Sequence, residues 1–322
     1  MVNVTPRYAK MTAPASRDVI SWENIELISD RPFETMLSEL AKLKTEYPGR
    51  VLIASIMEEC SRGAWEEIVG RCEAVGVDGF EVNFSCPHGM PERRMGMAMG
   101  QDPELLEEVC GWINGVATKP VWAKMTPNIT DICVPARGAF RAGCEGVAAI
   151  NTITSVMGVN LDTLRPEPSV EGYSTPGGYS GKAVKPIALA KVQAIAQLMR
   201  AEFDSGRSLS GIGGVESGRD AAEFILMGAH TVQVCTGVML HGYPLVQRLC
   251  GELQEVMAHH GIASLDAMRG RALPYMTTHS ELVSKQRAAV AAKKARVGLA
   301  DDAAWTGDRF VAESASMVSN GE

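Results

Sequence analysis

Six short apolar runs alternate with longer amphipathic stretches along this chain, and no other sequence feature limits its fold as strongly. Each run is too short for a helix and too continuously apolar for a strand with one face in water, which is typical of buried parallel strands. Repeated strand–helix units of this kind predict a parallel α/β architecture. The six runs cover residues 51–56, 79–84, 120–125, 146–151, 209–212 and 231–235.

Helical spacing of apolar residues fills the segments between the runs. Pro103 stands at the start of one such segment, in a first-turn position that suits proline. Small residues, often glycine, separate the helical segments from the runs that follow and favour left-handed helix caps. The predicted helices cover about residues 31–47, 64–75, 103–116, 131–142, 186–203, 216–227 and 243–259, with an Ala-, Lys- and Arg-rich helix over 280–297.

Polar residues directly follow nearly every apolar run, and this even distribution distinguishes between two parallel architectures. In an open doubly wound sheet the ligand contacts concentrate at one switch point, whereas every strand of a TIM barrel contributes to one mouth. We therefore expect an α/β TIM (β/α)8 barrel over residues 1–264, and a helical extension with a polar tail, without chemistry, over 265–322. Only six units are visible and the first thirty residues read as loop, so we expect that the first two strands are lacking.

The composition excludes several classes of function. A formal charge of −7 is unsuited to nucleic acid as the main partner, because phosphate binding needs concentrated Lys and Arg. No apolar run reaches the roughly 20 residues that a membrane helix needs, and the N-terminus has neither a signal-peptide nor a transit-peptide pattern. The eight cysteines form no CxxC pair, so we expect no metal site and mostly buried free thiols in a reducing compartment.

The segment over residues 83–100, which begins Asn-Phe-Ser-Cys-Pro-His-Gly, is an unusually long connection between a strand and a helix. Such connections usually take about 2–6 residues, so this one predicts a mobile lid. Cys86 stands directly beyond the strand, and a thiol with an unperturbed pKa of about 8.5 can donate and recover a proton at neutral pH. We interpret Cys86 as a catalytic acid, with Asn83, Ser85 and His88 beside it.

Three further asparagines recur at matching places along the chain. Asn24, Asn128 and Asn151, the last followed by Thr152, offer donors and acceptors that match the edge of an amide, an imide or a nucleobase. Turn formation is the structural alternative for each of them. Lys124 lies within an apolar strand, where an unpaired lysine is costly, and we expect it to anchor an anionic or electron-rich cofactor group in the barrel mouth.

Two loops near the end of the predicted barrel favour phosphate binding. If two strands are lacking, the fifth visible run is the seventh barrel strand and the sixth is the eighth. Gly213 and Gly214 then follow the seventh strand, and Cys235, Thr236 and Gly237 follow the eighth. Loops at these places commonly bind phosphate through backbone N–H groups and a helix N-terminus. No P-loop and no GxGxxG follows a strand, so the pattern favours a phosphorylated cofactor held in the barrel over a Rossmann dinucleotide.

These segments together resemble the dihydropyrimidine dehydrogenase family, whose pyrimidine-binding module is related to the dihydroorotate dehydrogenases as an FMN-containing barrel. The resemblance covers about residues 1–260 and is closest to the plant-type form. The matching motifs are residues 24–29 (Asn-Ile-Glu-Leu-Ile-Ser), 83–90 (Asn-Phe-Ser-Cys-Pro-His-Gly-Met), 100–105 (Gly-Gln-Asp-Pro-Glu-Leu), 123–128 (Ala-Lys-Met-Thr-Pro-Asn), 151–152 (Asn-Thr) and 232–235 (Val-Gln-Val-Cys).

The resemblance implies flavin-dependent reduction of uracil or thymine to the 5,6-dihydropyrimidine, in pyrimidine catabolism. Cys86 would exchange a proton with C5 of the pyrimidine while N5 of FMN exchanges a hydride with C6. Residues implied to hold the pyrimidine ring are Asn24, Asn83, Asn151 and Thr152, with Ser85 nearby. Residues implied to surround the flavin are Lys124, Ser180 and Gly181, with Gly213, Gly214, Cys235, Thr236 and Gly237 around its phosphate.

The chain departs from the resembled family in two ways. The family begins with two strands that supply flavin contacts, including a lysine, and this sequence starts after them, so we expect a fragment or a truncated gene product. The animal enzyme carries iron–sulfur domains and a NADPH/FAD module, whereas no ferredoxin-type cysteine run occurs here. Electrons, ultimately from NADPH, would then arrive from a partner subunit or a soluble donor. We also expect a soluble homodimer located in the plastid, as in the plant-type form, or otherwise in the cytoplasm.

Two other functions remain open on the sequence. Dihydroorotate dehydrogenase proper has the same fold and flavin, but it needs positive charge or hydrogen-bond donors for the orotate carboxylate. A non-catalytic barrel remnant that serves as an oligomer partner is the alternative from a different class, because the lacking strands would disable flavin binding.

Overall fold

The protein, described by a computed structural model, has placed residues over 4–26, 29–87, 91–203 and 206–297. Its strands are β1 (Tyr8–Thr12), β2 (Val19–Asn24), β3 (Ile53–Ile56), β4 (Gly79–Phe84), β5 (Val121–Met125), β6 (Gly146–Ala149), β7 (Ile153–Ser155), β8 (Gly158–Asn160), β9 (Arg165–Glu167), β10 (Gly177–Ser180), β11 (Ser208–Ile212) and β12 (Thr231–Gln233). Its helices are α1 (Phe33–Glu46), α2 (Arg62–Ala74), α3 (Met97–Gly100), α4 (Pro103–Asn114), α5 (Cys133–Arg141), α6 (Lys185–Glu202), α7 (Gly218–Leu226), α8 (Thr236–His241), α9 (Leu245–His259), α10 (Leu265–Met268) and α11 (His279–Val297).

The centre of the fold is a curled sheet of six parallel strands in the order β12-β11-β6-β5-β4-β3. Each of the six predicted runs matches one of these strands to within two residues at either end, and predicted helices separate successive strands. Within the part of the chain that the structure describes, the outer strands β3 and β12 each pair on one side only. The parallel architecture predicted from the alternation is therefore confirmed as a barrel-type sheet that the described strands leave open.

Alternation along β5 shows how the sequence sets the two faces of this sheet. Val121, Ala123 and Met125 are fully buried among the apolar side chains of the core, whereas Trp122 and Lys124 are half-buried on the other face. Because successive side chains of a strand point to opposite faces, one strand supplies both the helix-packed layer and a polar interior. Full burial of a Val or Met side chain stabilises the fold by about 1.5–3 kcal/mol.

Local signals fix the starts of two helices. The Asp102 side chain accepts a hydrogen bond from the Leu105 backbone N–H at 3.1 Å, and Pro103 occupies the first turn of α4. Ser217 and Asp220 form a reciprocal capping box at the start of α7. Both arrangements satisfy N–H groups that a helix start leaves without internal partners.

A second, antiparallel sheet in the order β1-β2-β10-β7 corrects the prediction that the first thirty residues are loop. The hairpin of β1 and β2 lies within that region. The inward residues of β2 include Ser21 and Glu23, both fully buried, so a search for apolar runs misses this strand. The Glu23 carboxylate accepts hydrogen bonds from Ser155 Oγ at 2.6 Å and from the Met157 N–H at 3.1 Å.

The chain divides into two compact units, Met1–Leu273 and Pro274–Glu322. The second unit contains α11, which agrees with the helix predicted over residues 280–297, and its side chains over residues 279–293 are exposed apart from the half-buried Val283. None of the helices described is long and apolar enough to cross a membrane.

Candidate active site

A cavity of about 380 Å³ lies between the carboxyl ends of the parallel strands and the antiparallel sheet. We call it the upper cavity. Most of the predicted site residues line it, although they come from segments far apart in the sequence. These are Asn24, Lys124, Asn151, Thr152, Ser180, Gly181, Gly213, Gly214, Cys235, Thr236 and Gly237.

Three predicted site residues, Asn83, Ser85 and Cys86, do not line the upper cavity. Two of them lie directly beneath Asn151, whose Nδ2 donates to Ser85 Oγ at 2.6 Å and to Asn83 Oδ1 at 3.2 Å. The Asn151 Oδ1 accepts from the Thr152 N–H at 2.8 Å. The carboxamide of Asn151 is thus held by partners on both ends, so its orientation at the cavity wall is fixed.

Cys86 is buried, with 6% of its surface exposed, and directly follows the buried Ser85. Its carbonyl accepts a hydrogen bond from the Met97 N–H at 3.0 Å. A Cβ on Gly96, which has a φ of 58°, would lie 2.8 Å from the same carbonyl oxygen, so the returning chain packs closely on Cys86. The predicted lid contains the short helix α3 and is therefore partly helical. Its residues 88–90, which include His88, lie outside the described residues.

Lys124 forms an ion pair, which offsets the free-energy cost of burying its charge. Its Nζ lies 2.9 Å from Glu81 Oε1, and both side chains are largely buried, at 20% and 10% exposed. Glu81 Oε2 accepts from Gln233 Nε2 at 2.6 Å, and the same Nε2 donates to Ser210 Oγ at 3.1 Å. Lys124 also lines the upper cavity, so a charged group held by the sheet interior faces the space above it.

Glycines form a close cradle at one side of the upper cavity. Gly213 and Gly214 have φ angles of 139° and 68°, a region that favours glycine. A Cβ on Gly214 would lie 2.7 Å from the carbonyl oxygen of Gly181, and one on Gly237 would lie 2.6 Å from that of Val215. Side chains are thus excluded from this wall, which leaves backbone groups free to approach a ligand.

Two hydroxyl groups join the antiparallel sheet to this cradle. Ser180 Oγ lies 3.0 Å from Thr236 Oγ1 and donates to the Trp22 carbonyl at 3.2 Å. The indole Nε1 of Trp22, another residue of the cavity wall, is buried and finds no acceptor among the described residues. Glycine backbone, hydroxyl groups, a paired lysine and an unused indole donor suit a phosphorylated, electron-rich cofactor such as a flavin nucleotide.

Sequence reasoning missed about half of the cavity wall. Tyr8 and Trp22 come from β1 and β2, in the region that the sequence predicts as loop. Glu26, Ser29 and Gln233 lie within motifs of the family resemblance, which implies no role for them. The missed lining residues are Tyr8, Trp22, Glu26, Ser29, Ile150, Tyr179, Val184, Ile212, Val215, Gln233 and Met239.

Tyr8 in β1 and Glu26, two residues beyond β2, illustrate what the N-terminal region contributes to the cavity. The Tyr8 hydroxyl donates to Glu26 Oε2 at 2.6 Å, and this hydrogen bond, followed by burial, raises the pKa of Tyr8 above its usual value. The phenol therefore stays protonated at neutral pH and remains a hydrogen-bond donor at the cavity wall. No period-2 apolar pattern could have indicated this pair, because Tyr8 is exposed and Glu26 is charged.

Asn128, the remaining asparagine near a strand end, serves the loops rather than the cavity. Its Nδ2 donates to Thr126 Oγ1 at 3.1 Å and to the Thr152 carbonyl at 3.2 Å, while its Oδ1 accepts from the Thr154 N–H at 2.9 Å. Its position therefore fits the structural alternative, in which the carboxamide holds the turn beside Thr152.

The eight cysteines all lie among the described residues, and no disulfide joins any of them. Four are buried, two are half-buried, and Cys235 and Cys250 are exposed, so burial is less general than predicted. Among the residues that the structure describes, no group of three or more His, Cys, Asp or Glu side chains is placed to hold a metal ion.

The family of this chain follows from its similarity to known proteins. Residues 3–257 match the profile of the dihydroorotate dehydrogenase family, so the chain belongs to that family. Two structures of dihydroorotate dehydrogenase from Eimeria tenella share the fold at 20% identity. The ligand-free form aligns with a TM-score of 0.66 over 84% of this chain and 77% of that one. The ferulenol complex aligns with 0.62 over 78% and 71%.

Within this family the chain is similar to proteins named as dihydropyrimidine dehydrogenases. It is 64% identical to the chloroplastic dihydropyrimidine dehydrogenase (NADP(+)) of Arabidopsis thaliana, over 99% of this chain and 76% of that one. It is 43% identical to the NAD-dependent dihydropyrimidine dehydrogenase subunit PreA of Escherichia coli K12, over 84% of this chain and 64% of that one. Identity to the catalytic subunit of dihydroorotate dehydrogenase B of Pyrococcus abyssi is 36%, over 75% and 74%. The predicted resemblance and the oxidoreductase class are thereby confirmed.

Proposed function

We propose that this chain reduces uracil or thymine to the 5,6-dihydropyrimidine in the upper cavity, with FMN as its resident cofactor. The observation that carries this proposal is the meeting, in one cavity, of the fixed carboxamide of Asn151 with the glycine cradle at Gly213 and Gly214. A planar ring with alternating donors and acceptors needs the first, and a flavin phosphate needs the second. The identities of 64% and 43% to dihydropyrimidine dehydrogenases support the same substrate class over dihydroorotate.

The residues on the cofactor side have distinct proposed roles. The cradle at Gly181, Gly213 and Gly214 would hold the phosphate through backbone N–H groups, together with the loop over residues 235–237. Lys124, fixed by Glu81 at 2.9 Å, would place a positive charge against the electron-rich ring system. When bound, FMN supplies the hydride equivalent that reaches C6 of the pyrimidine.

The residues on the substrate side clamp the ring and deliver a proton. Asn24 and Thr152 would bind the polar edge of the pyrimidine from the cavity wall. Asn151 would accept a hydrogen bond from the ring at Oδ1, because its two N–H groups are donated to Ser85 and Asn83. Asn83 and Ser85 would act through Asn151, since both accept hydrogen bonds from its Nδ2. Cys86, directly after Ser85, would give its proton to C5, and for this the connection that packs on Cys86 must bring the thiol toward the bound ring.

Electron supply is a further part of the proposal. The Escherichia coli relative is named as a subunit, and this supports delivery of electrons to this chain by a partner subunit, with NADPH as the ultimate donor. The chloroplastic name of the Arabidopsis thaliana relative supports a plastid location. We further propose that the chain assembles as a homodimer.

A half-reaction tests the activity without the unknown donor. The protein is loaded with FMN, reduced chemically without oxygen, and mixed with uracil, thymine or orotate while the flavin absorbance is followed. We expect uracil and thymine to reoxidise the flavin and orotate to leave it reduced. Reoxidation by orotate alone would contradict the proposal, and a protein that takes up no FMN would favour the non-catalytic remnant.

Gly214→Ala tests the cofactor cradle separately. The added Cβ would lie 2.7 Å from the Gly181 carbonyl oxygen at a φ of 68°, so we expect FMN affinity to fall at least about tenfold through strain and loss of fit. Gly251→Ala in α9 is the matched control, because its Cβ meets no atom within 4 Å. Equal flavin affinity in the two variants would remove the cradle from the proposal.

A further inference from the structure

A second cavity, of about 330 Å³, lies at the amino ends of the parallel strands. We call it the lower cavity. Arg207 directly precedes β11 and His230 directly precedes β12, so both stand at the end of the sheet opposite to the upper cavity. The two cavities share no lining residue. Those of the lower cavity are Ala196, Met199, Arg200, Phe203, Arg207, Gly228, His230 and Arg269.

Basic side chains dominate the polar part of this wall. Three guanidinium groups, of Arg200, Arg207 and Arg269, face one space together with the imidazole of His230. The one carboxylate that pairs with them in the described chain is Asp266, 2.5 Å from Arg269 and 83% exposed. Like charges gathered around a cavity repel each other, so an anion in the cavity would stabilise them.

The donors of the lower cavity are held in place but only partly used. Arg207 Nη1 donates to the carbonyl oxygens of Gly143 and Cys144, at 3.1 Å and 2.5 Å, which fixes the guanidinium at the cavity wall. Arg269 Nε is buried and has no acceptor among the described residues. A buried N–H without an acceptor is costly, and a bound anion would supply the acceptor.

His230 adds a neutral donor to this set. Its Nδ1 accepts a hydrogen bond from the Leu209 N–H at 3.2 Å, so Nε2 is the ring nitrogen that carries the proton. Burial and then the positive charge of Arg269 lower the pKa of His230. The ring is therefore neutral at neutral pH, as expected of an imidazole beside guanidinium groups.

We propose that the lower cavity is a second binding site, for a phosphate monoester with an apolar or aromatic body. Guanidinium groups match phosphate oxygens in a bidentate manner, and three arginines line this cavity. Phe203, Met199 and Ala196 provide an apolar wall beside the charges. A volume of about 330 Å³ is in the range of small-molecule sites, and phosphate alone would fill only a small part of it.

Calorimetric titration of the FMN-saturated full chain tests this site. Adenosine 5′-monophosphate is the probe, because a purine nucleotide does not match a pyrimidine site and bound FMN occupies the upper cavity. We expect this nucleotide to bind more tightly than inorganic phosphate, and adenosine not to bind measurably. Binding of adenosine as tight as that of its monophosphate would overturn the proposal.

Charge-removing variants locate the binding. Arg269→Gln and the more exposed Arg200→Gln should each weaken nucleotide binding at least about tenfold, as expected for loss of one charge-assisted contact. Arg62→Gln, on the surface of α2 beside Glu66, is the matched control and should bind as the wild type does. Unchanged affinity in both cavity variants would refute the site.

Nucleotide binding to the lower cavity can be distinguished from failure of the proposed FMN-dependent activity. If the protein takes up no FMN, nucleotide could enter the upper cavity instead, and Gly214→Ala then distinguishes the two sites. Binding that survives Gly214→Ala and is lost in Arg200→Gln supports the lower cavity. Binding that shows the opposite pattern assigns the nucleotide to the upper cavity and overturns this proposal.

Discussion

At the residue scale, the pair of Glu81 and Lys124 shows how a parallel sheet carries charge into its interior. The two side chains project from the same face of neighbouring strands, where Asn83 is the register partner of Lys124. Gln233 supplies a further hydrogen bond to Glu81 from β12, at 2.6 Å. Three strands are thus linked by polar contacts below the upper cavity.

Lys124→Met should destabilise the flavin-free protein. The change leaves the Glu81 carboxylate, which is 10% exposed, buried without its counter-charge, and we expect a loss of about 3 kcal/mol in the free energy of unfolding. Lys42→Met is the control, because this lysine is 72% exposed and lies 3.7 Å from Glu46, and it should cost less than about 0.5 kcal/mol. Urea unfolding measures both. Equal losses in the free energy of unfolding would show that the buried pair of Lys124 and Glu81 stabilises the protein no more than an exposed pair does.

Cys86→Ala should retain FMN and lose turnover. A positioned general acid contributes about 10²–10⁴-fold to the rate, so the half-reaction with uracil should slow by that factor. Cys250→Ala, at an exposed thiol of α9, is the matched control and should react as the wild type does. A rate for Cys86→Ala within tenfold of the control would exclude this thiol as the proton donor.

At the element scale, the start of α7 is tied to α6 by charge. Lys185 Nζ lies 2.6 Å from Asp220 Oδ1, and Asp220 Oδ2 accepts from the Ser217 hydroxyl at 2.8 Å. Burial alone would raise the pKa of Asp220, but the hydrogen bonds from Lys185, Ser217 and the Glu216 N–H outweigh it and lower the pKa. One carboxylate therefore caps its own helix and holds the neighbouring one.

This pKa shift predicts how stability depends on pH. Because the folded-state pKa of Asp220 lies below the unfolded value of about 3.9, its contribution is complete above that value and is lost as the pH falls through the folded pKa. We expect Asp220→Asn to be less stable than the wild type at neutral pH, by about 1–3 kcal/mol. The difference should shrink below about pH 4.

Urea unfolding of both proteins across this pH range measures the effect. Asp162→Asn, at an exposed residue after β8, is the control and should follow the wild type throughout. A stability difference for Asp220→Asn that stays constant down to the acid limit would show that the ionised carboxylate is not the stabilising group.

At the scale of the whole molecule, the apolar core lies within Met1–Leu273. Its last member is Leu273, which is 4% exposed. In α11 the apolar side chains Leu282 and Val290 are 53% and 51% exposed. Both of these apolar side chains of α11 are thus largely exposed to solvent.

A chain that ends after Met276 should therefore fold and bind FMN like the full chain, with a urea midpoint that is unchanged within error. A chain that ends after Met268 loses Leu273 and should be destabilised by about 2–5 kcal/mol. Urea unfolding of the two truncated proteins makes the comparison. A midpoint for the longer one as low as that for the shorter one would place essential contacts in the second unit.

What the sequence alone determined is the set of parallel strands, the helices between them and about half of the residues around the upper cavity. The strands of the parallel sheet are buried and continuously apolar, and the helices are periodic, so both can be predicted from neighbouring residues. Site residues such as Asn151 and Gly213 could be predicted because parallel strands bring their carboxyl ends to one mouth.

Only the tertiary structure decided which partners these residues meet. The strand β2 buries Ser21 and Glu23 instead of apolar residues. It pairs with β1, its neighbour in the chain, and with β10, which lies more than 150 residues further along the chain. Gln233 meets Glu81 across a similar separation. Hydrogen bonds between such distant segments depend on the packed fold and leave no local period, so the cavity wall became visible only in three dimensions.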